Sequence, residues 1–555
     1  MLRKVIRTTL AAVVLQAVSA AALAAPDAIY FNANVWTGNA QQPKAEAIAI
    51  DDGTIVAVGS SADVRKLADA TTQAVDLKGA FVVPGFIDNH VHFINGGLAL
   101  AQVDLRDAAT PAEFTKRIAQ AASKTPKGQW IKDGNWDHEL WNGELPTRDW
   151  IDKDTPNTPV FVSRLDGHMA LANSLVLKLA GIDEKTPDPA GGSIVRDKSG
   201  RPTGVLKDNA LNLVFKVIPA PSDQELSQGL ARAMEHAAAR GVTQVHDMGG
   251  IEDFRVLDLY RRTRASDQLR VRIYSFVPMA ERQQAAGYKN KNGTGDEWLR
   301  WGGVKGFVDG SLGSTTAWFH KPYDDAPNTT GLTMVEPEKL RAAIVESDEA
   351  GLHVAVHAIG DRANDWLLDV FEKIEQGGPK KDWRFRIEHA QHLTPAAIKR
   401  FGPLGVVASM QPYHAIDDGR WAQKRIGAER LKGTYAFRSL IDSGAHLTFG
   451  SDWPVAPLDP LTGIYAAVTR RTIDGANPNG WQPQQKITVA EALRSYTAEN
   501  AWAGFQEGKV GVLKQGALAD FAVLSKDLFT VPPAEIDKVK VVRTVVGGRE
   551  VYLAR

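Results

Sequence analysis

At 555 residues the chain is too long for one small core, so one large domain with additions, or two to four domains, is expected. Lys plus Arg and Asp plus Glu balance at 65 each, which leaves no electrostatic footprint for nucleic acid or for an anionic membrane. Cysteine is absent, which excludes a disulfide framework and any Cys-ligated zinc or iron–sulfur site, so a metal must be held by His, by carboxylate or by something made from Lys.

The chain opens with Arg3, Lys4 and Arg7, followed by an apolar run that ends in Ala22-Leu23-Ala24. Basic start, short apolar run and small residues at an A-x-A site are the pattern of a signal peptide, assigned here to residues 1–24. The run is short for a membrane span, and no later apolar stretch is long enough to act as one. Cleavage after Ala24 removes three positive charges and leaves 62 basic against 65 acidic residues. The expected product is exported, most simply to a bacterial periplasm, with no membrane association after cleavage.

Residues 25–83 read as short strands: AIYFNANVWT, then EAIAIDDGTIVAVG with Asp52-Gly53 as a hairpin turn, then AVDLKGAFVV. Residues 501–555 have the same character in ADFAVLS, VKVVRTVVGG and REVYLAR. Both chain ends are therefore expected to build one small β-sandwich.

Between them, over residues 84–500, strands and amphipathic helices alternate, which argues for parallel β/α architecture. The first strand ends in PGFIDNHVH, where His90 and His92, two residues apart on a strand, share a face. Seven more follow: VTQVHDM (242–248), RVRIYSF (271–277), GGVKGFVDG (302–310), LHVAVHA (352–358), RFRIEHA (384–390), GVVASMQP (405–412) and HLTFGSD (446–452). Helical stretches such as QELSQGLARAMEHAAARG and PEKLRAAIVESDEAG fall between them. Eight strand–helix units are the count of a (β/α)8 TIM barrel, provided that about residues 95–225 are an insertion after the first strand. That insertion is rich in Trp and punctuated by Gly and Pro, and it is read as a cap over the active site. Its Trp136, Trp141 and Trp150 hint at an apolar or aromatic substrate.

TIM-barrel sites are built at the C-terminal ends of the strands. The polar residues at those ends are His90 and His92, Lys305, His357, His389 and Asp452, each just before the chain passes into a loop. Imidazoles with a carboxylate suit zinc and related divalent ions. A protonated lysine cannot bind a metal, but a neutral one can take up carbon dioxide as a carbamate with two anionic oxygens, and burial beside other cations would favour that reaction. On spacing alone, an inward Lys305 paired to Asp309 is an equal alternative. His246, ending the second strand, is a candidate for a supporting role and His353 for a core role; His138, His236, His320, His414 and His446 receive no assignment.

PGFIDNHVH, VKGFVDGSLGS, HVAVHAIGDRA, RIEHAQ and LTFGSDWPV, in this order, resemble the amidohydrolase superfamily, in the branch that includes N-substituted formamide deformylase and many exported or cytosolic hydrolases. The likeness extends over nearly the whole chain after residue 24, to VGVLKQGALADFAVL in the late strands. It implies a centre of two divalent ions, zinc by preference though one ion is an option, with His90 and His92 on one, His357 and His389 on the other, carboxylated Lys305 bridging, and Asp452 both binding a metal and handling protons. Such a centre activates water and polarises a carbonyl, with Asp452 as general base and then general acid. His168, which recurs in relatives, is the candidate substrate contact from the cap; Asp309 and Trp318 are the others.

The function expected is cleavage of a C–N amide-type bond of a small molecule, in the N-acyl or N-formyl amine class. Hydrolysis of esters, lactones, carbamates or cyclic amides on the same centre is the alternative, and deamination, which generally goes with one metal, fits less well. From another class, a binding protein on a retired enzyme scaffold is the remaining option; the intact ligand set argues against it. Large barrels of this kind often pair, so a homodimer is one option for the assembly.

Overall fold

The computed structural model describes residues 25–126, 128–250 and 253–554; the expected signal peptide lies outside the described residues. Near the start of the described chain, Asp52 and Gly53 take φ of 44° and 70° and turn the strand Ala47–Asp51 into Thr54–Gly59. This is the two-residue hairpin that the Asp-Gly step favours. These strands join Ala28–Phe31 and Gln73–Asp76 in a four-stranded sheet. A six-stranded sheet combines Asn34–Trp36, Lys44–Ala45 and Phe81–Pro84 with Phe521–Leu524, Val541–Val546 and Arg549–Leu553. Antiparallel pairing of Phe521 with Pro84 and of Leu524 with Phe81 ties the two chain ends together. Tyr30, Ile48 and Ile55 of one sheet pack with Val82, Phe521 and Val545 of the other, and each such buried aliphatic or aromatic side chain contributes about 1.5–3 kcal/mol.

Eight parallel strands form the barrel: β1 (Phe86–Val91), β2 (Val242–Asp247), β3 (Arg272–Pro278), β4 (Leu299–Phe307), β5 (His353–Ala358), β6 (Arg386–His389), β7 (Val407–Met410) and β8 (His446–Phe449). Neighbours along the chain are neighbours in the sheet, the strand order of a (β/α)8 barrel. All eight expected strands are present, and the (β/α)8 reading holds. Strands β1, β2 and β5 are buried at every position, and the buried set includes the polar Asp88, Asn89, His90, Gln244, His246 and His357.

The ring closes between β1 and the end of β8. Asp452 N–H donates to the His90 carbonyl at 2.7 Å, and His92 N–H donates to the Trp453 carbonyl at 2.8 Å. Helices cover the outside. The helix Asp223–Ala238 starts with a reciprocal capping box between Ser222 and Glu225, a device that satisfies two orphan N–H groups. It crosses the helix Phe93–Ala99 so closely that a Cβ on Gly97 would lie 2.0 Å from the Gly229 carbonyl oxygen.

Between β1 and the helix that precedes β2, the chain forms a helix, Pro111–Lys124, and a five-stranded sheet made of residues 131–136, 160–164, 169–172, 202–208 and 192–196. This inserted layer has its own core. Trp136, Trp141 and Trp150 close around Phe114, with ring centroids 5.6 to 6.4 Å from it. The indole N–H of Trp136 is spent on the Val162 carbonyl at 2.7 Å. These three tryptophans therefore stabilise the insertion rather than wall a pocket, correcting what their abundance suggested. Among the described residues no helix is long and apolar enough to cross a membrane.

Candidate metal centre

The closing hydrogen bonds of the barrel set the first half of the site. With the backbones of residues 90–92 and 452–453 locked together, Asp452 Oδ1 lies 3.3 Å from His90 Nε2 and 3.4 Å from His92 Nε2. Asp452 holds φ at 60°, a conformation costly for a non-glycine residue and concentrated at functional sites. The second half comes from β5 and β6. The rings of His357 and His389 are 4.5 Å apart, and His389 lies 5.0 Å from His90. Lys305, on β4, reaches in with Nζ 3.4 Å from His90 Nε2. The six residues singled out in the sequence thus converge in one place.

Each of the four histidines has one ring nitrogen held by an acceptor of the protein. His90 Nδ1 donates to Glu388 at 2.6 Å, His92 Nδ1 to the Gly249 carbonyl at 2.6 Å, His357 Nε2 to the Gly310 carbonyl at 3.1 Å and His389 Nδ1 to Gln411 Oε1 at 2.7 Å. This fixes the tautomers and leaves His90, His92 and His389 a lone pair on Nε2 and His357 one on Nδ1, as metal-ligating imidazoles require. Burial holds His357 and His389 well below the ordinary imidazole range, so both are neutral at pH 7.

Burial also pushes the Lys305 amine below its usual value, with Glu388 and Asp452 pulling the other way. For Asp452, burial pushes upward, but the surrounding His90, His92 and His389 side chains hold the carboxyl well below the usual range. Its Oδ1 is buried and has no hydrogen bond. A lone carboxylate oxygen among unprotonated ring nitrogens is costly unless a cation sits there, so the donor set fits a divalent metal ion.

Behind His90 runs a buried polar chain. Glu388 accepts from Ser409 Oγ at 2.5 Å and from Arg386 Nε at 2.7 Å, and Arg386 in turn reaches His246 Nδ1 at 3.0 Å and donates to the Asn89 carbonyl at 2.7 Å. Burial would raise the Glu388 carboxyl, but Arg386 and His90 hold it well below its ordinary value. His246 thus acts at two removes from His90. His353 instead bonds Tyr274 and the Arg384 carbonyl, away from the centre.

A cavity of about 790 Å³ opens above the centre, lined below by His92, Lys305, His357, His389 and Asp452, and from the insertion by His168, Asp208 and Phe161. His168 Nδ1 lies 2.7 Å from Asp208 Oδ1, and its ring is 5.2 Å from that of His357. Burial lowers the His168 pKa, yet the Asp208 carboxylate more than offsets this, and the net direction is upward.

Asp309 and Trp318 are not among the lining residues. Asp309 accepts from the N–H groups of Trp318, Ile359 and Gly360 at 2.7, 3.0 and 2.8 Å and makes no ion pair with Lys305. Burial raises its carboxyl to about 7 despite those three bonds. The Trp318 ring is covered by the Arg362 guanidinium at 4.3 Å. Both residues shape the loop under His357.

Residues 73–552 match the family profile described as amidohydrolase family. The chain belongs to the amidohydrolase family. This amidohydrolase is 42% identical to Protein LONG AFTER FAR-RED 3 of Arabidopsis thaliana over 95% of this chain and 91% of that protein. It is 30% identical to N-substituted formamide deformylase of Arthrobacter pascens over 94% and 97% of the two chains. Its fold matches the crystal structure of an uncharacterized metal-dependent hydrolase from Pyrococcus horikoshii with a TM-score of 0.75 and 30% identity, covering 91% of this chain and 99% of that one.

Three residues of the amidohydrolase centre escaped the sequence reading. Glu388 was detectable in principle, since Arg386 and Glu388 are two apart on a strand and share a face. Gln411 and His414 follow β7, a strand that supplies no expected ligand; His389, His414 and Asp452 offer ligand atoms within 4.8 Å of one another.

Proposed function

We propose that this amidohydrolase cleaves the C–N bond of an N-acyl or N-formyl amine with water, giving a carboxylic acid and an amine. The observation that carries this is the tautomer pattern: four neighbouring imidazoles are each anchored by one nitrogen to an acceptor of the protein, and those of His90, His92 and His389 present the other beside Asp452. His90, His92 and Asp452 would hold one cation, His357 and His389 a second, and Lys305, as its carbamate, would contribute to both. Zinc suits the ligand types. Divalent cations, when bound, supply Lewis-acid polarisation of the carbonyl and lower the pKa of water.

The chain's own residues do the rest. Asp452 accepts a proton from the attacking water and returns it to the leaving nitrogen, for which its low proton affinity in the folded protein leaves it ready at neutral pH. The neutral amine that burial favours at Lys305 is the form that takes up carbon dioxide. His168, clamped by Asp208 and facing His357 across the cavity, is placed to orient the substrate from the insertion. The relative that cleaves N-substituted formamides supports the bond type. The amino-terminal pattern supports export to a periplasm with Ala25 as the new first residue, which the mass of the purified protein would check.

The test is metal content by elemental analysis of wild type and Lys305→Ala, with hydrolysis of N-formyl and N-acyl amines measured against matched esters. About two ions per chain, falling to one or none in the variant, is the expected result. Turnover of esters without amides would move the reading to ester hydrolysis. A folded wild type that takes up no metal even with zinc and bicarbonate would overturn it.

A further inference from the structure

One ring at the cavity floor lies outside the ligand set. His414 stands in the first turn after Pro412, on the segment whose Gln411 anchors His389. Its ring lies nearly parallel to that of His389, at 12° with centroids 6.3 Å apart, and lines the cavity. Whereas the four histidines above are each fixed by a protein acceptor, His414 Nε2 is buried with no hydrogen-bond partner. Nor is it remote, since a ring nitrogen of His414 lies within 4.8 Å of ligand atoms of Asp452 and His389.

A buried ring nitrogen without a partner costs free energy that a bound ligand can recover, and in the tautomer protonated at Nε2 that nitrogen is a donor awaiting an acceptor. In a planar amide the nitrogen lone pair is delocalised, so the strong acceptor is the carbonyl oxygen. We propose that His414 is a catalytic residue that donates a hydrogen bond to the carbonyl oxygen of the substrate. The inference rests on the hydrolase reading of the centre. When the water oxygen bonds to the carbonyl carbon, the C=O π pair moves onto that oxygen and the water's proton goes to Asp452. The bond from His414 strengthens as the charge develops. On collapse the pair returns, the C–N bond breaks, and the leaving nitrogen takes the proton from Asp452.

Two variants separate this role from ligation and from packing. His414→Phe keeps a flat ring and removes both nitrogens; His414→Gln restores an N–H near Nε2. Expected for the Phe variant are unchanged metal content, a fall in kcat of about 10²–10³-fold, as for loss of one oxyanion donor, and KM within about threefold, with the Gln variant recovering roughly tenfold. Calorimetry on the metal-loaded protein gives a readout apart from turnover. A tetrahedral phosphonate analogue of the acyl group should lose affinity in the Phe variant in parallel with kcat/KM, while an amine product should bind as before. Loss of an ion in the Phe variant would make His414 a ligand and overturn the proposal, as would kcat and phosphonate affinity both within threefold of wild type. If the Phe variant does not fold, wild type against the Gln variant decides by the same phosphonate measurement, a loss of affinity supporting the donor role and equality refuting it. Should wild type hold metal and bind phosphonate yet turn over only esters, the amide reading fails and the phosphonate arm still judges His414; a wild type without metal overturns both.

Discussion

Glu388→Gln removes one negative charge from the centre of the barrel while keeping the side chain's shape. In the native protein that charge serves, besides the Ser409 hydroxyl, His90 Nδ1 at 2.6 Å and Arg386 Nε at 2.7 Å, with these side chains and that of Glu388 buried. Its loss should be felt twice. A carboxylate behind a metal-ligating histidine raises the ligand's basicity, and removing such a partner typically costs 10–100-fold in metal affinity, which is about 1.4–2.8 kcal/mol. Arg386 would also be left without its only ion-pair partner among the described residues, retaining His246, Ser409 and the Asn89 carbonyl. Breaking a buried pair from one side costs about 3–5 kcal/mol of stability. Metal affinity is measured by competition with a chelator, and stability by urea unfolding of metal-free protein. The His90→Ala background supplies the control, because if Glu388 acts through His90 the second substitution should cost no further metal affinity there. Equal loss of affinity with and without His90, or a variant that binds metal and unfolds like wild type, would refute the reasoning.

Asp520→Asn should destabilise the protein by about 3–5 kcal/mol without changing its metal content, because Asp520 takes both Arg272 Nε and Nη2, at 2.7 and 2.9 Å, where the barrel meets the carboxy-terminal strands; a change in the urea midpoint equivalent to less than 1 kcal/mol would count against this. His353 should govern part of the acid sensitivity. Burial and Arg386 depress its pKa to about 3, so below the unfolded value of about 6.5 the unfolded chain binds the extra proton; the stabilisation is complete above that pH and is lost as pH falls toward 3, at about 1.4 kcal/mol per unit. Between pH 7 and pH 5 wild type should therefore lose roughly 2 kcal/mol more than His353→Gln, other titrating groups being common to both; parallel pH dependences would show that this histidine is not the sensor.

What was legible in the sequence, and what was not, follows from how each residue is aimed. Barrel strands end where a polar side chain meets a loop, so position made His90, His92, Lys305, His357, His389 and Asp452 candidates, while spacing left Lys305 evenly divided between the centre and Asp309 and the family resemblance supplied the ligand set. Strict alternation would have sent Glu388 and His389, adjacent on β6, to opposite faces of the sheet. His389 instead takes φ of 76°, and this break in the pleat lets both side chains serve the interior, one as a ligand candidate and the other behind His90. No pattern in RIEHA reports that twist. The fate of Asp309 was equally hidden. Spacing allowed it to pair with Lys305, but the loop that follows β5 folds back to present the Ile359 and Gly360 amides, contacts between segments some fifty residues apart that one-dimensional spacing cannot rank. The tryptophans of the insertion misled for a third reason. An inserted layer must bury a core of its own before it can offer anything to a substrate, and Phe114 claims Trp136, Trp141 and Trp150 for that purpose. His414 is the converse case, a polar residue in a helix after a strand with no expected ligand, conspicuous only once the fold leaves its nitrogen without a partner beside Asp452. The candidate ligands of this barrel thus lie at strand ends, whereas the groups that would tune and assist them lie where the backbone departs from regular strand geometry.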